Sequence, residues 1–150
     1  MTTTGTTTAN PTRIALRTLA DRYLALWNES DAGLRRKALE ELWSDGGLHV
    51  LQPPQDMREQ AEGLGFTEVK LEARGHDALE YRVTRAYEEF VAPGEYVFRA
   101  RGEAERLRDV VKLSWEMAPA AGGEALGGGT EFLVLGEDGR IVTDYQFIGL

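Results

Sequence analysis

The spacing of apolar residues along the chain predicts three main helices. Apolar side chains recur at steps of three and four through residues 11–27, which is typical of an amphipathic helix, and Asn10 and Pro11 favour a helix start there. The same spacing predicts a second helix ending at about Trp43 and a third from Gly75 to about Val91. Residues 55–64 form a further short helical pattern.

The last third of the chain has the pattern of β-strands rather than helices. Residues 44–47 and the glycine-rich stretch 118–129 are expected to be a turn and a loose loop, and Gly139 suits a hairpin turn. Helices first and consecutive strands last predict an α+β fold with an antiparallel sheet. The predicted strands are 48–52, 66–73, 95–101, 107–117, 130–135 and 140–148.

Length and charge narrow the classes of function. The 150 residues suit one domain, which we expect to span residues 10–150 after a disordered threonine-rich tail of residues 1–9. The formal net charge of −8 argues against nucleic acid as a partner and against anionic membranes. No secretory signal or membrane-spanning stretch is recognised, which predicts a cytoplasmic location.

Residue types that hold metals and cofactors are scarce. The chain has no cysteine and only two histidines, His49 and His76, so a transition-metal site is not expected. No glycine-rich phosphate loop joins a strand to a helix. The sequence therefore predicts that no metal, nucleotide or flavin is needed.

Three segments together resemble the nuclear transport factor 2-like superfamily, with the greatest similarity to its SnoaL-like polyketide cyclase branch. They are Tyr23–Asp31 at the end of the first helix, Leu42–Gly46 before the first strand, and Thr130–Ile141 in the late hairpin. The resemblance implies a cone, in which a curved antiparallel sheet wraps about three helices and leaves an apolar pocket at the open end. Residues 55–74 depart from the compact members and form an insertion near the expected pocket mouth.

The resemblance also implies candidate site residues. Tyr23 falls where ketosteroid isomerases place an oxyanion-hole tyrosine, and Glu131 falls where they place a protonated acid. SnoaL-like cyclases are similar in placing an acid–base aspartate on the strand of Glu131. Gln52, just before Pro53, occupies the position of the isomerase base, and an amide cannot accept a proton near neutral pH.

Strand alternation extends this set of candidates. If Glu131 points into the cone, burial disfavours its charged form, and Asp144 becomes the neighbouring carboxyl group. Tyr23, Glu131 and Asp144 are thus the candidate catalytic residues. His49, opposite in parity to Gln52, is expected to face a helix or solvent. The candidate ligand-binding residues are Gln52, Leu113, Trp115, Met117, Leu133, Gln146 and Ile148.

Two kinds of function fit this pattern. The first is an acid–base isomerase, cyclase or dehydratase that acts without a cofactor on a small hydrophobic carbonyl compound. The second is a non-catalytic domain that binds a small hydrophobic ligand or serves as a dimeric interaction module. A homodimer is expected in either case, because Phe132, Val134, Tyr145 and Phe147 have the parity to form an apolar patch on the outer face of the sheet.

Overall fold

The structure is a computed structural model that describes residues 11–149, with side chains from residue 15 onward. The tail predicted for residues 1–9 and the helix cap predicted at Asn10 lie outside the described residues. The domain boundaries drawn from the sequence stay a prediction.

The helices begin and end close to where the periodicity places them. Asp31 caps the second helix, since its Oδ1 accepts a hydrogen bond of 2.8 Å from the backbone N–H of Leu34. The third predicted helix continues beyond Ala86 as a π-helical segment, Tyr87–Val91. The α-helices are α1 (Pro11–Asn28), α2 (Ala32–Leu42), α3 (Gln55–Gly63) and α4 (His76–Ala86).

The strands differ from the predicted ones mainly where glycine occurs. The predicted turn 44–47 belongs to the first strand, where Gly46 has a φ of 76° and the pairing register shifts. The glycines at 127–129 extend the sixth strand into the predicted loop, and the second strand is shorter than predicted. The strands are β1 (Trp43–Leu51), β2 (Leu71–Arg74), β3 (Tyr96–Ala100), β4 (Glu105–Leu107), β5 (Val110–Pro119), β6 (Gly127–Leu135) and β7 (Ile141–Ile148).

These strands form one open sheet in the order β2-β1-β7-β6-β5-β3, with β4 paired to β5. The predicted α+β class, with a curved sheet around the helices, is confirmed. The sheet is mixed rather than wholly antiparallel, because β1 pairs in parallel with β7. Pairing the first strand with the last brings His49 beside Asp144 in the register, which strand alternation within single segments could not predict.

The core lies between the helices and one face of the sheet. Tyr23 and Leu26 of α1, Leu39 of α2 and Leu79 of α4 are buried against Leu133 of β6, each with at most 2% of its surface exposed. Removing this apolar surface from water is the main favourable contribution to folding. The opposite face of the sheet leaves Tyr145 and Phe147 about half exposed.

The end of α1 is fastened to the edge of the sheet by one side chain. Asn28 donates from Nδ2 to the carbonyl oxygen of Phe98 over 2.6 Å, and the N–H of Phe98 donates to Oδ1 of Asn28 over 2.9 Å. The amide thus pairs with β3 as another strand would. This tie holds Trp27, which directly precedes Asn28, and Tyr23, more than one turn earlier, over the concave face of the sheet.

Candidate functional site

A cavity of about 390 Å³ opens between α1, α4 and the concave face of the sheet. Cavities of this size hold small organic ligands. Most of its wall is apolar and includes Leu24, Trp27, Phe90, Phe98, Trp115 and Ile148. The polar groups that reach the cavity are few: Tyr23, His49, Gln52, Arg82, Glu131 and Gln146.

Four neighbouring strands build the polar part of the site. In the register, His49 of β1 pairs with Asp144 of β7, and Gln146 of β7 pairs with Glu131 of β6. Trp115 of β5 pairs with Gly129, two residues before Glu131. Residues two apart on a strand share a face, so these side chains gather on the concave side beneath Tyr23.

A tyrosine hydroxyl joins two buried carboxyl groups. Oη of Tyr23 lies 2.9 Å from Oε1 of Glu131 and 2.5 Å from Oδ2 of Asp144, and both carboxyl groups have 0% of their surface exposed. A phenol has one proton, so it can donate to only one carboxyl group and must accept from the other. At least one of the two carboxyl groups therefore carries a proton.

The surroundings favour Asp144 as the protonated member of the pair. Burial, and then the negative charge of Glu131, raise the pKa of Asp144 well above its ordinary value of 3.8, and the hydrogen bond with Tyr23 only partly opposes them. Oδ1 of Asp144 is buried with no hydrogen-bond partner among the described residues, which a neutral acid tolerates better than a carboxylate. The pKa of Tyr23 is also raised, chiefly by burial, so its hydroxyl stays protonated.

Glu131 is held from both sides by donors. Nε1 of Trp115 donates to its Oε2 over 2.7 Å, while its Oε1 faces the hydroxyl of Tyr23. No arginine of the described residues pairs with it. Glu131 reaches the cavity wall, whereas Asp144 lies behind it. A ligand in the cavity would therefore meet the carboxylate of Glu131 and the phenol of Tyr23. The neutral acid Asp144 lies behind them.

Arg82 and Gln146 fix the tautomer of His49. Nη1 of Arg82 lies 2.9 Å from Nδ1 of His49, and a guanidinium can only donate, so Nδ1 is the acceptor. The ring proton is then on Nε2, which donates to Oε1 of Gln146 over 2.7 Å. The same Nε2 is 3.8 Å from Oε1 of Glu131 and 3.8 Å from Oδ2 of Asp144. His49 is therefore a neutral donor aimed at the carboxyl pair.

The residues His49, Glu131 and Asp144 bring three metal-ligating groups together within 4.8 Å. The hydrogen bonds do not suit a metal site. The nitrogen that faces the carboxyl pair carries the ring proton, because Arg82 makes the other ring nitrogen an acceptor, so the protonated nitrogen has no lone pair for a cation. These three side chains take part in hydrogen bonds with their neighbours instead.

Several solved structures have a similar fold. An isomerase, provisionally so named, of the SnoaL-like family from Agrobacterium tumefaciens is 24% identical, with a TM-score of 0.72 over 91% of this chain and 99% of that one. An NTF2-like protein of unknown function from Exiguobacterium is 20% identical, with a TM-score of 0.56 over 87% of this chain and 97% of that one. A SnoaL-like polyketide cyclase, also provisionally named, from Jannaschia is 12% identical, with a TM-score of 0.57 over 95% of this chain and 91% of that one. The chain has the NTF2-like fold.

The fold that the resemblance in the sequence implied is thus confirmed. A scan against protein-family models finds no match, and a search of curated proteins finds none either. Within residues 11–149, no helix is long and apolar enough to cross a membrane.

The NTF2-like fold brings the three candidate catalytic residues, Tyr23, Glu131 and Asp144, into one cluster. Among the candidate ligand-binding residues, the structure places Leu113 and Leu133 in the buried core rather than on the cavity wall, since both lie deeper along their strands than expected. The others line the cavity: Gln52, Trp115, Met117, Gln146 and Ile148.

Two polar residues of the cavity were missed by sequence reasoning. His49 faces the cavity because β1 ends at Leu51, so Gln52 lies past the regular strand and its parity does not apply. Arg82 could have been recognised from the sequence. It lies between Leu79 and Val83 on the apolar side of α4, where a charged side chain is unusual.

Proposed function

We propose that this protein is an acid–base enzyme that moves a proton on a small hydrophobic carbonyl compound, in the manner of an isomerase, cyclase or dehydratase. The observation that carries the proposal is the Tyr23–Glu131–Asp144 cluster at the floor of an apolar cavity. A carboxylate beside a neutral acid at one site is the arrangement that general acid–base catalysis requires.

Each group has a distinct role in this proposal. Glu131, which reaches the cavity, takes the proton from the carbon next to the carbonyl group. Tyr23 donates to the carbonyl oxygen as negative charge develops there. Asp144, behind Tyr23, donates into the phenol oxygen and keeps the phenol proton free to turn toward the substrate. The apolar walls exclude water and strengthen these interactions.

Exchange of α-hydrogens tests the proposal without knowledge of the natural substrate. The protein is incubated with 2-tetralone, an apolar ketone, in D₂O, and the loss of α-hydrogen signals is followed by NMR. We expect Glu131→Gln to slow the catalysed exchange by on the order of 10²–10³-fold, the effect of removing a general base. Glu137→Gln, in the exposed turn between β6 and β7, is the matched control and should leave the rate unchanged.

A binding domain without catalysis is the alternative. The apolar cavity favours it as directly as it favours an enzyme, because a ligand can be held by its walls alone. If wild-type protein binds 2-tetralone but does not exchange its hydrogens, or if Glu131→Gln exchanges them equally fast, the catalytic proposal is wrong and the binding alternative stands. In both cases the ligand is a small hydrophobic molecule. Function without metal or cofactor and a cytoplasmic location stay predictions.

We further propose that a second copy of this chain covers the outer face of the sheet. Tyr145 and Phe147 are 45% and 48% exposed there, and the ring of Phe147 packs edge-on against Phe132 at 5.7 Å between centroids. Contiguous apolar surface of this kind is typical of an interface between subunits.

A further inference from the structure

Arg82 stands apart from the other charged groups around the cavity. It lies on α4, reaches the cavity wall and is partly buried. Burial lowers its pKa from the ordinary value, and no carboxylate of the described residues offsets that effect. By contrast, Arg36 on α2 pairs with Asp77 and Glu80, and Arg99 on β3 pairs with Glu116.

One edge of the Arg82 guanidinium is occupied and the other is open. Nη1 donates to Nδ1 of His49 over 2.9 Å and to the carbonyl oxygens of Leu71 and His49 over 3.3 and 3.4 Å. Within the described part of the chain, Nε and Nη2 have no acceptor. These two nitrogens form the fork that binds both oxygens of a carboxylate.

We propose that the open edge of Arg82 binds the carboxylate of an otherwise apolar ligand, which makes the substrate a hydrophobic keto acid. The inference rests on the proposed function and names its substrate class. Removing a cation partly from water without a counter-ion is costly, and a bound carboxylate would supply the missing partner. The apolar remainder of the ligand would fill the cavity between Trp27, Phe98 and Trp115.

The geometry also limits where the carboxylate lies relative to the reacting carbonyl group. The imidazole ring of His49 separates Arg82 from the carboxyl pair, with 2.9 Å on the Arg82 side and 3.8 Å on the other. A ligand that reaches both ends must therefore carry its carboxylate several bonds from its carbonyl group. A 2-keto acid, whose two groups are adjacent, is too short.

A second role for Arg82 must be distinguished from this one. Through His49, its positive charge could serve only to balance Glu131. In that case, loss of the charge would weaken neutral and anionic ligands alike, because it would disturb the floor of the cavity. Binding a carboxylate instead predicts a loss that is confined to anionic ligands.

The test compares two probes that differ only in the end group, 4-phenylbutyrate and 4-phenylbutan-1-ol, by calorimetric titration. We expect wild-type protein to bind the acid about tenfold more tightly than the alcohol, as a charge-assisted bidentate contact implies. Arg82→Gln, whose amide can still donate to His49, should remove that preference and leave the alcohol within about twofold. Arg85→Gln, exposed on the same helix, is the matched control and should keep the preference.

The outcomes separate this inference from the proposed function. If the alcohol binds and the acid binds no more tightly, or if Arg82→Gln weakens both probes alike, the carboxylate inference is wrong while the apolar cavity stands. If neither probe binds, the proposal of a hydrophobic ligand fails and this inference fails with it. Should Arg82→Gln unfold, salt replaces the variant: NaCl should weaken binding of the acid to wild-type protein and not of the alcohol, and equal effects on both would overturn the inference.

Discussion

The phenol oxygen of Tyr23 lies 2.5 Å from Oδ2 of Asp144, which is fully buried, while Tyr23 itself is only 2% exposed. Since the same oxygen is 2.9 Å from Glu131, each of the two contacts needs a proton between its oxygens, and the three groups cannot all be ionised. A neutral acid and a carboxylate are therefore held side by side by one hydroxyl.

Asp144 should make the protein less stable as the pH rises. Its pKa is raised above 3.8 in the folded state, so the unfolded chain loses this proton first, and the free energy of unfolding falls from about that pH up to the folded pKa. Asp144→Asn has no proton to lose, so its stability relative to wild type should increase with pH. Urea unfolding between about pH 4 and pH 8 measures the difference.

The control for that experiment is Asp45→Asn, at an exposed position of β1. Its stability should follow wild type across the same range. Parallel curves for wild type and Asp144→Asn would contradict the assignment of the proton to Asp144.

Removing the hydroxyl of Tyr23 should destabilise the fold although the ring remains. In Tyr23→Phe, Oε1 of Glu131 and Oδ2 of Asp144 lose a buried partner, which costs about 1–3 kcal/mol. Tyr81→Phe, 70% exposed on α4, loses only a solvated hydroxyl and should be neutral. Urea unfolding compares the two, and equal effects would mean that the Tyr23 hydroxyl does not hold the carboxyl pair.

The sequence was sufficient for the fold and for the face on which Glu131 lies. Helical periodicity is a local signal and predicted α1, whereas the family resemblance suggested that Glu131 faces the pocket and strand alternation then placed Asp144 on the same side; both residues are buried. Their direct contact with Tyr23 follows from pairing across the sheet and from the packing of α1 on it. No pattern within a single segment contains that information.

Two further differences between prediction and structure have identifiable causes. His49 was set aside because its parity was compared with that of Gln52, which lies beyond the end of β1. The glycines at 127–129 indicated a loop by composition, but Gly129 pairs with Trp115 across the strands, and the indole needs the space that a side chain would fill. Tertiary contact thus overrides the usual meaning of glycine here.

Dimerisation should depend on the outer face of the sheet. Phe147→Asp places a charge among Tyr145 and Phe132, so it should convert a dimer into a monomer at micromolar concentration, as measured by analytical ultracentrifugation. Leu107→Asp, at an apolar position on β4 that is 78% exposed, is the control and should leave the dimer intact. A monomeric wild-type protein would contradict the proposed interface.

Gly129 should be essential for the position of Trp115, whereas Gly127 should not. A Cβ atom at Gly129 would lie 2.6 Å from the carbonyl oxygen of Phe147 and 2.8 Å from Cζ2 of Trp115, while a Cβ at Gly127 meets nothing within 4 Å. Gly129→Ala must therefore shift β7 or the indole, at a cost of about 1–3 kcal/mol in unfolding free energy. Either shift disturbs the 2.7 Å hydrogen bond from Trp115 to Glu131, so exchange of 2-tetralone should slow as well. Gly127→Ala should keep both stability and exchange, and equal behaviour of the two variants would show that this close approach does not support the site.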